Sequence, residues 1–165
     1  MVLSELNIQR MRGGLSFDMY KILITGHRGF IGTRLFEKVG GIGIDIKEGH
    51  NLITTDLPED IDIIYHLAAQ SSVEASWHDP VYDMDNLRMT ARLVNEYPKA
   101  KIIYTASSAT KETSPYGFSK LAAREYIKNF HKNYVICVLP NVYGEEGGRS
   151  VVDIFKENDE VTIYG

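Results

Sequence analysis

A chain of 165 residues is long enough for one domain and too short for two. Its 44% hydrophobic residues can fill a core, and a net charge of −4 argues against a nucleic-acid or anionic-membrane surface, which needs clustered Lys and Arg. No apolar run approaches the roughly 20 residues that span a bilayer.

Residues 1–18 mix Glu5, Arg10, Arg12 and Asp18 among single apolar residues. They lack the uninterrupted apolar centre of a signal peptide, so they read as an N-terminal extension outside the fold, and the chain reads as cytoplasmic. The β-branched run at 19–25 predicts a first strand, followed by a glycine turn and a helix over 30–39. Further strands are predicted at 41–45, 52–54 and 61–67, the last preceded by the turn signals Pro58 and Asp60.

Pro80 opens the next helix at a favoured position. Met84, Leu87, Ala91 and Val94 recur on one face of it, and Tyr97-Pro98 closes it. A strand at 101–105 leads to an amphipathic helix over 116–132 with Phe118, Leu121, Ala122, Tyr126 and Phe130 as its stripe. The strand at 134–139 holds Cys137, a small core filler and the single cysteine, so no intrachain disulfide is possible. A Gly-rich loop at 144–148, a short helix near 151–156 and an apolar run at 161–164 complete the chain. Strands alternating with helices predict an α/β domain over 19–165, with a doubly wound parallel sheet. Ligands of such sheets bind beyond the carboxyl ends of the strands.

The first of those ends carries Gly26-His-Arg-Gly29-Phe30-Ile31-Gly32. Glycines there allow a tight turn, let a diphosphate approach bare backbone, and aim the N–H groups of a helix N-terminus at it. The strand before and the helix after supply the context that a Rossmann-type nucleotide turn requires. Asp45 ends the second strand, where a carboxylate can accept ribose hydroxyls and repel a 2′-phosphate; this favours NAD over NADP. Arg28 and Lys47 pull the other way, since either can pair with a 2′-phosphate.

The strand at 101–105 runs into Ser107, Ser108 and Thr110, and Tyr116 and Lys120 then share one face of the following helix. An ammonium beside a phenol lowers its pKa from about 10, which would make Tyr116 a general base and acid. Ser108 is placed to hold the substrate hydroxyl or carbonyl. The histidines show no metal-ligand spacing, and no metal is expected.

Together these residues resemble the extended short-chain dehydrogenase/reductases, the NAD-dependent epimerase/dehydratase family, with a particular likeness to its UDP-glucose 4-epimerase-like members around 107–110. The resemblance implies a cofactor site of Gly26, Gly29, Phe30, Ile31, Gly32, Asp45, Asp56, Leu57, Leu67, Ala68, Ala69, Asn86 and Pro140. It implies a catalytic set of Ser108, Tyr116 and Lys120, the last two also touching the cofactor. Ser108 and Asn141 would contact a nucleoside-diphosphate sugar. A hydride would leave the sugar for NAD while Tyr116 takes the hydroxyl proton, and would return to the other face. The His-Arg pair in the turn resembles an NADP-using keto-sugar reductase of the family.

The chain departs from the family pattern in three places. The helix expected between the third and fourth strands shrinks to a few residues around 58–60. The segment between Ser108 and Tyr116 is short. The sequence ends at Gly165, where relatives continue into a region covering the sugar nucleotide, so the substrate domain is expected to be largely missing. Two functions follow as alternatives: an epimerase or dehydratase, or a cofactor-binding module without turnover of its own. A homo-oligomer, or a second chain supplying the lid, is the expected partner.

Overall fold

The computed structural model describes residues 20–108, 114–140 and 142–144. The expectations placed on 1–18, Asn141, the Gly-rich loop beyond Gly144, the helix near 151–156 and the run at 161–164 lie outside the described residues.

The elements run β1 (Ile22–Thr25), α1 (Phe30–Val39), β2 (Ile42–Ile44), a 3-10 turn (Ile46–Glu48), β3 (Ile63–His66), α2 (Val73–His78), α3 (Pro80–Glu96), β4 (Lys101–Ser107), α4 (Pro115–Phe130) and β5 (Tyr134–Leu139). All pairings are parallel and the order is β2-β1-β3-β4-β5. The chain steps outward from β1 to β2, then returns past β1 to β3. Right-handed crossovers in these opposite directions place α1 on one face and α3 and α4 on the other. The switch point lies between β1 and β3, and a crevice opens beyond their ends. Thr25 pairs with both Ile44 and His66, so three strand ends line up at that crevice. His66 pairs with Tyr104, so β4 continues three residues further and carries Ser107 about 10 Å past β3.

The core sits between the sheet and the α3/α4 layer. Leu23, Ile64 and Ile102 from the strands meet Leu93, Val94, Ala123 and Ile127 from the helices, all buried. Apolar area removed from water in this layer is the main stabilising contribution.

The segment at 52–54 is a turn and not the predicted strand. Asn51 decides this: its side-chain oxygen accepts the Ile53 N–H at 2.9 Å, and its carbonyl accepts Thr54 and Thr55 N–H at 3.0 and 2.8 Å. A local Asx turn thereby takes the hydrogen bonds that a strand would have made. Leu52 still reaches the core, 3% exposed. The helix α2 escaped the sequence reading; Ser72 caps it by accepting the Ala75 N–H at 3.0 Å.

The buried faces of α3 and α4 differ from the predicted stripes. On α3 the buried residues are Asp83, Asn86, Thr90, Leu93 and Val94, while Met84 is exposed. On α4 they are Gly117, Ser119, Lys120, Ala123 and Ile127, while Phe118 and Phe130 are exposed. The N-terminal halves of both helices are buried through polar residues, which a search for apolar periodicity does not register.

Candidate functional site

The glycine turn is built for close approach. Gly26 has φ 75°, and a Cβ there would stand 2.7 Å from the Ala68 nitrogen; a Cβ at Gly32 would strike the Gly26 carbonyl. Glycine is therefore required at both, and the segment following β3 lies directly on the turn. Gly29 is the N-cap of α1, with no side-chain cap and no acid in the first turn. The first N–H groups of α1 and its positive dipole end are thus left for an anion. Phe30 and Ile31 stand half-buried at the same end. These features fit the diphosphate of a dinucleotide.

Asp45 lies at the end of β2, 7% exposed. Its Oδ2 accepts the Arg28 N–H at 2.8 Å and its Oδ1 the Lys47 N–H at 2.9 Å. Each oxygen retains a lone pair, so a ribose hydroxyl can still be accepted. Asp56 is exposed and Leu57 half-buried against the core, both in the segment after the Asn51 turn.

Beyond β3, Leu67 donates its N–H to the Thr25 carbonyl at 3.1 Å and Ala68 donates to Thr25 Oγ1 at 3.3 Å. Ala69 follows, half-buried. Beneath them His66, 1% exposed, has Nδ1 at 2.8 Å from Thr25 Oγ1 and Nε2 at 3.0 Å from Thr90 Oγ1. Thr90 donates to the Asn86 carbonyl at 2.8 Å, so it accepts from His66, and the ring carries its proton on Nε2. Burial, and then the charge of Lys120, push the His66 pKa down to about 3.

Asn86, assigned to the cofactor by the resemblance, is 2% exposed and ties three elements together. Its Oδ1 accepts the Gln70 N–H at 2.8 Å, and its Nδ2 donates to the Gln70 carbonyl at 3.2 Å and to Ser119 Oγ at 3.0 Å. Ser119 in turn donates to the Tyr116 carbonyl at 2.8 Å. Asn86 thus fixes the segment after β3 against the helix that carries Tyr116 and Lys120.

Ser114 caps α4 by accepting the Gly117 N–H at 3.0 Å, which sets Tyr116 in the first turn at the crevice edge. The hydroxyl that meets the phenol is that of Ser107, one residue before Ser108; Ser108 follows at the exposed end of β4. The Tyr116 pKa is raised, chiefly by burial, with the Ser107 hydrogen bond lowering it and the Asp83 carboxylate raising it. This corrects the expectation that Lys120 depresses the phenol. Lys120 is 4% exposed, its Nζ lies 4.4 Å from the Tyr104 ring centre, and burial lowers its pKa to about 7. An ammonium near neutrality gives its neighbour little fixed charge.

Asp83 was missed by sequence reading. It is fully buried on α3, three residues before Asn86, and neither carboxylate oxygen has a hydrogen-bond partner among the described residues. Burial, then Asp79, raise its pKa. Pro140 is exposed at the end of β5. Beyond it Val142, Tyr143 and Gly144 line a groove of about 600 Å³ with Phe30, Ile31 and Arg34 of α1. Among the described residues, no group of three or more His, Cys, Asp or Glu is placed to hold a metal ion, and no helix is long and apolar enough to cross a membrane.

Residues 22–158 match the model of the NAD dependent epimerase/dehydratase family. A protein of Methanocaldococcus jannaschii named after UDP-glucose 4-epimerase is 30% identical over 200 residues, covering 87% of this chain and 66% of its own length. The chain spans between 35% and 62% of the other curated relatives it matches. Among solved structures, the UDP-glucose 4-epimerase of Thermotoga maritima with UDP-glucose superposes with TM-score 0.65 at 24% identity, covering 83% of this chain and 62% of that one. The dTDP-4-dehydrorhamnose reductase of Bacillus anthracis in complex with NADP superposes with TM-score 0.67 at 19% identity, covering 78% and 56%. Both structural likenesses are of fold.

Proposed function

The chain belongs to the NAD-dependent epimerase/dehydratase family, and from that premise we propose that it binds NAD along the glycine turn and acts on a nucleoside-diphosphate sugar as an epimerase or dehydratase. The observation that supports this most directly is the joining of Tyr116 and Ser107 at the strand edge that faces the glycine turn.

The α1 N-terminus would hold the cofactor diphosphate and Asp45 the adenosine ribose. Lys120 would reach the nicotinamide ribose, and Pro140 would lie against the ring. When bound, the nicotinamide supplies acceptance and return of a hydride. Tyr116 exchanges the proton of the sugar hydroxyl at its phenolic oxygen, and the Ser107 hydroxyl, with Ser108 beside it, orients the reacting oxygen. Asn141 is assigned to the sugar nucleotide by its place after β5. Exposed Met84 and Phe118 on α3 and α4 support self-association with a second copy.

A second reading is a keto-sugar reductase, in which the protonated Tyr116 phenol gives its proton to the carbonyl oxygen as a hydride is delivered to the carbon. The competing idea of a cofactor module without turnover is separated from both by one experiment. Calorimetry with NAD+ and NADP+ would be run beside assays for UDP-sugar epimerisation and for keto-sugar reduction. Cofactor binding with neither activity would leave the module; no binding of either dinucleotide would overturn the reading.

A further inference from the structure

The glycine turn and the turn after β2 are joined by an ion cluster. Glu48, the last residue of the 3-10 turn, accepts Arg28 Nε at 2.6 Å on Oε1, and its Oε2 lies 3.1 Å from His27 Nε2. His27 is 3% exposed, with its ring 5.0 Å from that of Phe36. It lies on bare β2 backbone: a Cβ at Gly43 would meet the imidazole at 2.5 Å. Lys47 Nζ donates to the Arg28 carbonyl at 3.0 Å. Glu48 is therefore held from the inside by a buried imidazole and from the outside by a guanidinium.

The division of labour between the two acids of this region follows. Asp45 is buried and already accepts two backbone N–H groups, so its charge is largely spent on joining the turn to β2. The carboxylate that faces outward is Glu48, with a side chain 34% exposed, and the outward cation it holds is Arg28, 51% exposed. A phosphate monoester placed at this edge would need Arg28, whose planar fork matches phosphate oxygens. It would meet Arg28 already paired and a fixed carboxylate beside it.

We propose that Glu48 sets the choice of dinucleotide in this chain, admitting a free ribose 2′-hydroxyl and excluding a 2′-phosphate by sequestering Arg28. The inference rests on the reading that the adenosine ribose lies beyond β2. Neutralising Glu48 frees Arg28 and removes the repelling charge together, so both effects act in one direction.

Calorimetric titration with NAD+ and NADP+ tests this on the unmodified chain, Glu48→Gln, and Glu48→Gln combined with Arg28→Ala. Glu48→Ala replaces Glu48→Gln if circular dichroism shows the latter unfolded. The expected result is that Glu48→Gln improves NADP+ affinity relative to NAD+ by about tenfold or more, given the cost of like charges held together. That gain should shrink to the smaller part due to lost repulsion when Arg28 is also removed. An unchanged ratio in a folded Glu48 variant overturns the proposal, as does a gain that Arg28→Ala leaves undiminished. An unmodified chain that binds neither dinucleotide overturns the ribose placement itself, and is recognised before any variant is made.

Discussion

The Nζ of Lys120 lies 4.4 Å from the centre of the Tyr104 ring, while the phenol four residues before it is held by Ser107. The lysine is thus stored against an aromatic face in the core, where burial lowers its pKa to about 7. Its charge state near neutrality depends on what enters the site, because an anionic or hydrogen-bonding ligand restores the proton that burial disfavours.

Tyr116→Phe removes one oxygen and leaves the ring packed. Cofactor affinity should change little, while turnover should fall by about 10²–10⁴-fold, the usual contribution of a positioned proton donor. Calorimetry beside a single-turnover assay checks it. Activity retained in the variant would remove Tyr116 from the chemistry.

Lys120→Met should separate stability from function. The folded pKa of about 7 lies below the ordinary 10.5 of a lysine, so the unfolded chain binds the extra proton between these limits. Stability therefore rises with pH across that window, and the burial penalty is felt in full below pH 7. The methionine variant should gain stability at pH 6 in urea unfolding and lose much of that gain near pH 10. Its dinucleotide affinity should drop at both.

His66 adds a second window of the same sign at lower pH. Its folded pKa of about 3 lies below the ordinary 6.5, so the unfolded chain takes up a proton first and stability falls as pH drops from 6.5 toward 3. Thr90→Val keeps the shape but strands the Nε2 proton in the core, a cost of about 1–3 kcal/mol. Urea midpoints at neutral pH measure it, and an unchanged midpoint would show that the ring finds another acceptor.

Asp83→Asn removes the negative charge that raises the Tyr116 phenol. The phenol pKa should move down, seen as phenolate absorbance appearing at lower pH. The difference should be absent when Tyr116→Phe is added. A titration that does not move would place the Asp83 charge out of reach of the phenol.

What sequence could and could not show follows from the type of signal. β1, α1, β2, β3, β4 and β5 were legible because β-branched runs and glycine turns are local features of the chain. The Asn51 turn was misread as a strand because Leu52-Ile53-Thr54 has strand composition, and only the side-chain bond of Asn51 tips it. Gly26, Gly32 and Asp45 were legible because a turn beside a strand end constrains residue type strongly. Asn86 was singled out for a cofactor contact, while its bonds to Gln70 and Ser119 were not foreseen. The buried Asp83, Asn86 and Thr90 recur at helical spacing, but polar residues on a core face look like a solvated face until the neighbouring helix is in place. Ser107 and Ser108 differ by one residue, and β4 ends between them, at Ser107 paired with Leu139, a boundary that no spacing rule resolves.

The His66 chain carries one more consequence. It starts at the Ala68 amide, which can only give a hydrogen, and ends at the Asn86 carbonyl, which can only receive one. Every hydroxyl between them is therefore oriented one way, and no concerted flip can reverse the sequence. Such a row of groups cannot conduct a proton: the path from the crevice through the imidazole toward α3 is insulating. Under the proposed chemistry, proton exchange at Tyr116 therefore does not run through the imidazole, and this row offers no route from the crevice toward α3.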